Sequence, residues 1–325
     1  MISRGLRTAA AVLTLTVMAI TTGLAQDYPA RPIRVIGPFP AGSGPDVDTR
    51  SILAELSKVL GQSVVMENRP GASGIIGTEA GIKATPDGYT LLVGSTNNMA
   101  VVPALYSKLP YNVERDVTPV SLTGILSVAM LATTGLAQTS VKELIAQLKA
   151  QPDSLAAGTF GVGSAQHIWG EWFGFSSATK IRFIPYSTSA PFADLVSGQV
   201  QLVFDAMPAS IGNIRAGKLK VLALTGKARH PRFPDVPTFA EAGLPEYSPA
   251  AWLGVVAPAG TPKPIIDKLS AAMRQAAGQN PALIDRWQSV GGELKATSPE
   301  EFGTFIQSEL DRMRTVSRQT NIKLD

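Results

Sequence analysis

"VTPVSLTGILSVAMLAT", residues 117–133, runs for seventeen residues without a charged side chain, and how it is read decides the fold. A strand usually spans about 5–6 residues. This stretch is too long and too apolar to be one strand of one sheet, so it is expected to cross between two lobes. A second stretch, "GLPEYSPAAWLGVVAPAG" (243–260), is placed to cross back, and the helices beyond it would then return to the first lobe. Two crossings leave a cleft between two α/β lobes. Ligands of such sheets bind beyond the carboxyl ends of the strands, where the chain turns toward a helix. The expected division is residues 26–124 plus 250–325 for one lobe and 125–249 for the other.

Outward from this stretch, short apolar runs recur: "IRVIGPF", "SVVMEN", "YTLLVGS", "LAAGTF", "IRFIPY", "VQLVFDA", "LKVLALTG". Helix-length amphipathic segments lie between most of them. Such alternation predicts parallel sheets covered by helices on both faces. Helix starts are marked by Ser140 with Glu143, and by Ser298, Pro299 and Glu301, each with the spacing of a capping box. Gly217 is expected to end a helix and lead into a strand.

The chain has 325 residues, 29 basic and 25 acidic, with 45% hydrophobic side chains and no cysteine. This is a globular composition with no basic concentration of the kind nucleic acid requires. The absence of cysteine removes disulfides, thiolate nucleophiles and thiolate metal sites. The opening "MISRGLRTAAAVLTLTVMAITTGLAQ" has Arg4 and Arg7, then an apolar run from Ala9 to Ile20, then Gly23 and Ala25. It reads as an export signal over residues 1–25, cleaved after about Ala25. The run falls short of the ~20 residues a membrane span needs.

Nucleotide and catalytic motifs fail on their details. "PGASGIIG" (70–77) has glycines near a dinucleotide spacing, but "ENRP" separates it from the strand before. "GNIRAGKL" (212–219) places Leu219 where a phosphate loop needs Ser or Thr. The two histidines, His167 and His230, make no metal cluster. Ser164 and His167 stand three residues apart and could share a helix face, but no G-x-S-x-G elbow surrounds the serine.

What remains is a set of strand-to-helix turns built from small residues: 38–46, 94–99, 158–167 and 186–191. Helix N-termini carry unpaired N–H groups and about half a positive charge, and small residues let a ligand approach that backbone. Ser95, Thr96, Thr159 and Ser164 add hydroxyls. The first three turns contain no Lys or Arg, which fits a carboxylate held by neutral dipoles better than a phosphate gripped by cations. Asp46 is expected to bond its own loop or to cap the helix that follows.

From about Tyr28 onward the chain resembles the Bug-type receptors of tripartite tricarboxylate transporters. The resemblance is carried by "YPARPIRVIGPFPAGSGPDVDTR", "GQSVVMENRPGASGIIGTEAGIKATPDGYTLL", "PALYSKLPYNVERDVTPVS" and "AGKLKVLALTGKARHPRFPDVPTFAEAG". It implies a periplasmic-binding-protein-like fold, a type II-like "Venus flytrap" with a double-crossover hinge. Such a receptor closes on a small carboxylate and delivers it to a membrane permease, without cofactor, metal or nucleic acid. By this resemblance Phe39, Ala41, Gly42 and Ser43 line the first lobe with Ser95, Thr96 and Asn97. Thr159, Gly163, Ser164, Ala165, His167, Tyr186 and Asp205 line the second. Ser43, the pair Ser187 and Thr188, and Ala206 depart from the family pattern, and loss of a lysine at 187 favours a less charged or bulkier acid. Two other uses of the chain stay open: a secreted hydrolase working through Ser164 and His167, and a receptor whose closed form is read by a sensor kinase.

Overall fold

The computed structural model describes residues 28–186, 191–278 and 280–324; the segment read as an export signal and the pair Ser187 and Thr188 lie outside them. Two sheets form the frame. Strands β1 (Ile33–Gly37), β2 (Val64–Asn68), β3 (Thr90–Ser95), β4 (Val117–Leu126), β10 (Ala251–Pro258) and β11 (Gly292–Leu294) make a six-stranded sheet in the order β11-β4-β10-β3-β1-β2. Strands β5 (Val128–Thr133), β6 (Ala156–Thr159), β7 (Arg182–Pro185), β8 (Leu202–Ala206) and β9 (Leu219–Leu224) make a five-stranded sheet in the order β7-β6-β8-β5-β9. Each sheet belongs to one lobe of a two-lobed α/β molecule.

The long stretch at 117–133 is split by one residue. β4 ends at Leu126 in the first sheet, β5 begins at Val128 in the second, and Ser127 joins them. The Ser127 amide donates to Gly291 O at 2.8 Å, just before β11, and its carbonyl accepts from Met207 N at 3.1 Å, just after β8. The chain returns between Tyr247 and Ala250. Tyr247 still packs with the second lobe, donating to Trp169 O at 2.9 Å and lying edge-on to Trp172. Ala250 O already accepts from Thr96 of the first lobe at 2.8 Å.

The sheets are mixed, which corrects the expectation of purely parallel ones. β1 pairs in parallel with β2 and β3, and β6 with β7 and β8. β10 runs antiparallel to both β3 and β4, and β5 antiparallel to β8 and β9. The cause is the double crossing: the chain leaves by β4 and comes back beside it as β10, so the two point in opposite directions. β5 and β10 are buried along their whole length, as strands covered on both faces must be.

Among the described residues, eight α-helices of six residues or more pack on these sheets: α1 (Gly44–Leu60), α2 (Ile75–Ile82), α3 (Val141–Ala150), α4 (Ala165–Ser177), α5 (Phe192–Ser197), α6 (Lys263–Gly278), α7 (Pro281–Ser289) and α8 (Pro299–Thr320), with shorter helical turns between. The box at the start of α8 is reciprocal, Ser298 accepting from Glu301 N at 3.2 Å and Glu301 from Ser298 N at 2.8 Å. At α3 Ser140 caps Glu143, but the glutamate reaches Thr139 N instead, one residue earlier than a reciprocal box requires. Gly217 (φ 66°) follows a short helix and leads into β9, as expected.

Where α8 meets the first sheet there is no spare room. Trp252 and Phe302 lie edge to face with ring centres 5.8 Å apart. A Cβ on Gly254, between them in β10, would stand 2.2 Å from Phe302 Cζ and 2.9 Å from Ser121 O. Gly254→Ala is therefore expected to destabilise by about 1–3 kcal/mol through overpacking. A urea midpoint unchanged from the parent would show that α8 can move aside.

Candidate functional site

The carboxyl ends of β1 and β3 in the first lobe meet those of β6 and β8 in the second. Two contacts establish this. Asn97, after β3, accepts the Ala165 amide at the start of α4 across 3.1 Å. A Cβ on Gly44, the first residue of α1, would lie 4.0 Å from Ala209 Cβ, in the turn after β8.

The turn after β1 is held from behind by the glycine-rich segment 70–77. A Cβ on Gly77 would stand 2.8 Å from Pro38 Cα and 2.4 Å from Arg69 O, so only glycine permits this approach. The dinucleotide-like spacing thus serves packing. Asp46 is buried and bonds its own loop, as expected, accepting from Gly42 N (2.8 Å), Arg50 Nε (2.9 Å) and Asn68 Nδ2 (2.9 Å). Burial pushes its carboxyl up, but the bonds from Asn68, Gly42 and Arg50 outweigh this and hold it below the usual range. Asn68 also donates to Phe39 O at 3.1 Å, fixing the turn's path. Ser43 stands at the cap position of α1 but donates to Pro40 O at 2.7 Å, so no side chain caps that helix. Ala41 and Gly42 are exposed.

After β3, Ser95 donates both its amide and its hydroxyl to Asn98 Oδ1, each at 2.8 Å. Thr96 is buried and pins β10, donating to Ala250 O and accepting from Trp252 N at 3.0 Å. Asn97 faces the other lobe. Its Nδ2 donates to Ser73 O at 2.7 Å while its Oδ1 takes the Ala165 amide. The π-helical turn that Asn97 begins also has no side-chain cap.

In the second lobe, Thr159 closes β6 with its Oγ1 buried and without a partner. Ser164 caps α4: its Oγ accepts from His167 N at 3.3 Å and donates to Gly161 O at 2.8 Å. His167 Nδ1 accepts from Gly163 N at 3.3 Å, and its Nε2 lies 3.5 Å from Glu171 Oε1. The hydroxyl and the imidazole are engaged separately, and the hydrogen bond that a serine–histidine nucleophile needs is not made. Tyr186 donates to Asp194 Oδ2 at 2.5 Å; burial first, then this carboxylate, pushes its phenol up to about 12. Asp205, at the end of β8, accepts from Gln166 Nε2 at 3.0 Å. Burial pushes its carboxyl up to about 6 against the opposing bonds from Gln166 and the Ala206 backbone.

Ser73, Asn98, Gln166 and Asp194 hold the site residues in place, and none stands out in the sequence. Asn98 holds Ser95 three residues away and is itself held by Thr78 at a separation of 20, while Ser73 and Gln166 stand 24 and 39 residues from Asn97 and Asp205, so only the folded chain brings these together. Asp194, eight residues after Tyr186, was within reach as an acid one turn into a predicted helix. The exposed apolar side chains Val47, Ile76 and Val162 stand in the first turns or loops of this region. Among the described residues, no group of His, Cys, Asp or Glu could hold a metal ion.

Two lobes meeting through helix starts and small-residue turns define the solute-receptor class of architecture. Residues 49–322 match the model of the tripartite tricarboxylate transporter family receptor, and the chain belongs to that family. It is 39% identical over 302 residues to protein BugT of Bordetella pertussis, covering 92% of each chain. Among solved structures, a Rhodopseudomonas palustris protein with adipate superposes with a TM-score of 0.85 at 33% identity, covering 91% of this chain and 99% of that one. MatC from Rhodopseudomonas palustris with bound malate gives 0.81 at 32%, covering 89% and 99%. The periplasmic binding protein BugD gives 0.82 at 30%, covering 91% and 99%.

Asp205 provides a test of the site's electrostatics. Its folded-state pKa lies above the ordinary carboxyl value, so the folded form binds the extra proton and this group's penalty is absent near pH 4 and fully present above about pH 6. Asp205→Asn, which cannot ionise, should gain stability relative to the parent between pH 4 and pH 7, by the order of 2 kcal/mol. Chemical denaturation across that range reads the difference; a constant gap would mean the acid is not raised.

Proposed function

We propose that this protein is an exported, periplasmic solute receptor that closes two lobes on a small carboxylate and passes it to the membrane permease of a tripartite transporter. The ligand class is a di- or tricarboxylate, an acidic amino acid or an aromatic acid. One observation carries this: the start of α1 at Gly44, which has no side-chain cap, and the turn at Asn97 meet the second lobe at Ala209 and Ala165, with no Lys or Arg in the turns 38–46, 94–99 and 158–167. Orphan N–H groups and helix dipoles stabilise an anion there without a bound cation. Family membership, and relatives solved with adipate and with malate, support the same class.

The proposed ligand residues are those of the facing turns: Phe39, Ala41, Gly42 and Ser43; Ser95, Thr96 and Asn97; Thr159, Gly163, Ser164, Ala165 and His167; with Tyr186 and Asp205. Several act by shaping the turns, since Gly42, Ser95 and Gly163 spend their amides on Asp46, Asn98 and His167. Thr159 Oγ1 has no such internal partner, and no side chain caps the start of α1. The proposed lobes are 26–124 with 250–325, and 125–249, with Ile125 and Leu126 moved to the first because they pair with β10 and β11; the lobes move about Ser127 and the return at 247–250. Charge-assisted hydrogen bonds contribute about 1.5–3 kcal/mol each. Three or four, less the cost of association, support affinity on the order of micromolar.

A thermal-shift screen of an acid panel that includes adipate and malate tests the class. An acid at 100 times its dissociation constant should add about 2.7 kcal/mol to stability; a panel without a single shift would overturn the proposal. Ser164→Asp keeps a good helix cap but sets a negative charge in the turn, so it should weaken the best acid at least tenfold by calorimetry. Unchanged affinity would remove turn 158–167 from the site. Ester hydrolysis abolished by Ser164→Ala would favour a hydrolase instead.

A further inference from the structure

The turn Gly161–Ala165 is touched by the first lobe at two places. The polar one is Asn97 on the Ala165 amide. The other is apolar and comes from the segment that follows α8. That helix ends at Asn321 in the left-handed region (φ 55°). The chain then folds back, Ile322 N donating to Ser317 O at 3.2 Å and Ser317 Oγ to Ile322 O at 2.7 Å. Leu324 N donates to Leu105 O at 2.9 Å, and Leu324 forms a parallel bridge with Tyr106. The segment is thus fastened to the first lobe. Its last described side chain leaves that lobe: a Cβ on Gly163 would stand 2.2 Å from Leu324 Cδ1 and 3.6 Å from Tyr106 Oη. Gly163 is buried, sits at φ 77°, and gives its amide to His167 Nδ1.

We propose that Leu324, carried on Tyr106, is a positioning residue for this turn. It seats on the bare backbone of Gly163 and, together with Asn97, holds the turn between two points of the opposite lobe. The turn's shape and the approach of the lobes are thereby coupled. Any side chain at 163 would occupy the space Leu324 fills, which gives the glycine a steric reason beyond its positive φ. Leu324 acts on the turn through its contact with Gly163. That this turn is a ligand turn rests on the receptor function proposed above; the contact between lobes does not.

The chain has no cysteine, so spin labels can be placed on Lys58→Cys in the first lobe and Lys149→Cys in the second without removing native thiols. Pulsed dipolar spectroscopy then reads the distance between lobes with no acid added. Leu324→Ala should shift the distribution to longer and broader distances. Gly163→Ala, which must displace Leu324 from the other side, should do the same, while Leu324→Met keeps the parent distribution. If both alanine variants superpose on the parent, Leu324 is a local packing residue and the proposal fails. With adipate as the calorimetric probe, the alanine variants should bind several-fold more weakly than the parent. Absence of adipate binding to the parent bears on the ligand class alone and leaves the distance measurement decisive.

Discussion

Ser127 is bound to both halves of the molecule. Its amide is held beside β11 in the first sheet and its carbonyl beside β8 in the second. A single residue therefore ends one sheet and starts the other. Because the chain must leave and return, β4 and β10 lie side by side and antiparallel, and β10, buried along its whole length, sits with β3 at the centre of the first sheet. β1, β2 and β3, and β6, β7 and β8, run in the parallel βαβ manner, and the carboxyl ends of β1, β3, β6 and β8 fall on the side where the lobes meet.

Where the facing turns meet, Gly44, Gly163 and Ala165 carry little or no side chain and let them approach, and the side chain of Asn97 makes a polar bridge across them; elsewhere Arg215 of the second lobe donates to Ser289 O of the first at 3.1 Å. An asparagine suits this place because it can donate to a carbonyl and accept from an amide at once. A charged residue would supply only one of these. The acid at the end of β8, Asp205, is buried, and that burial pushes its carboxyl up to about 6 against the bonds from Gln166 and the Ala206 backbone.

Much of the frame is legible in the chain. Each apolar run named from the sequence is a strand, and the seventeen-residue crossing breaks into β4 and β5. β11 escaped notice because three residues, Gly292–Leu294, carry too little pattern. Strand direction was misjudged for the crossing pair because alternation of strands and helices carries no information on how a departing chain returns. The turns after β1, β3 and β6 were visible as clusters of small residues between apolar runs.

Local physics written in the sequence, namely alternating apolar runs, caps, glycine and proline at the turns, and an uninterrupted apolar crossing, determined that two α/β lobes form and which turns end their strands. Tertiary structure decided which polar groups those turns keep available. Gly42 goes to Asp46 by a local bond, but Asn97 to Ala165, Gln166 to Asp205 and Leu324 to Gly163 join residues that are 68, 39 and 161 positions apart. The first and last of these depend on how whole lobes are placed and the middle one on how a helix packs on its own sheet, properties of three-dimensional packing that no periodicity along one chain encodes.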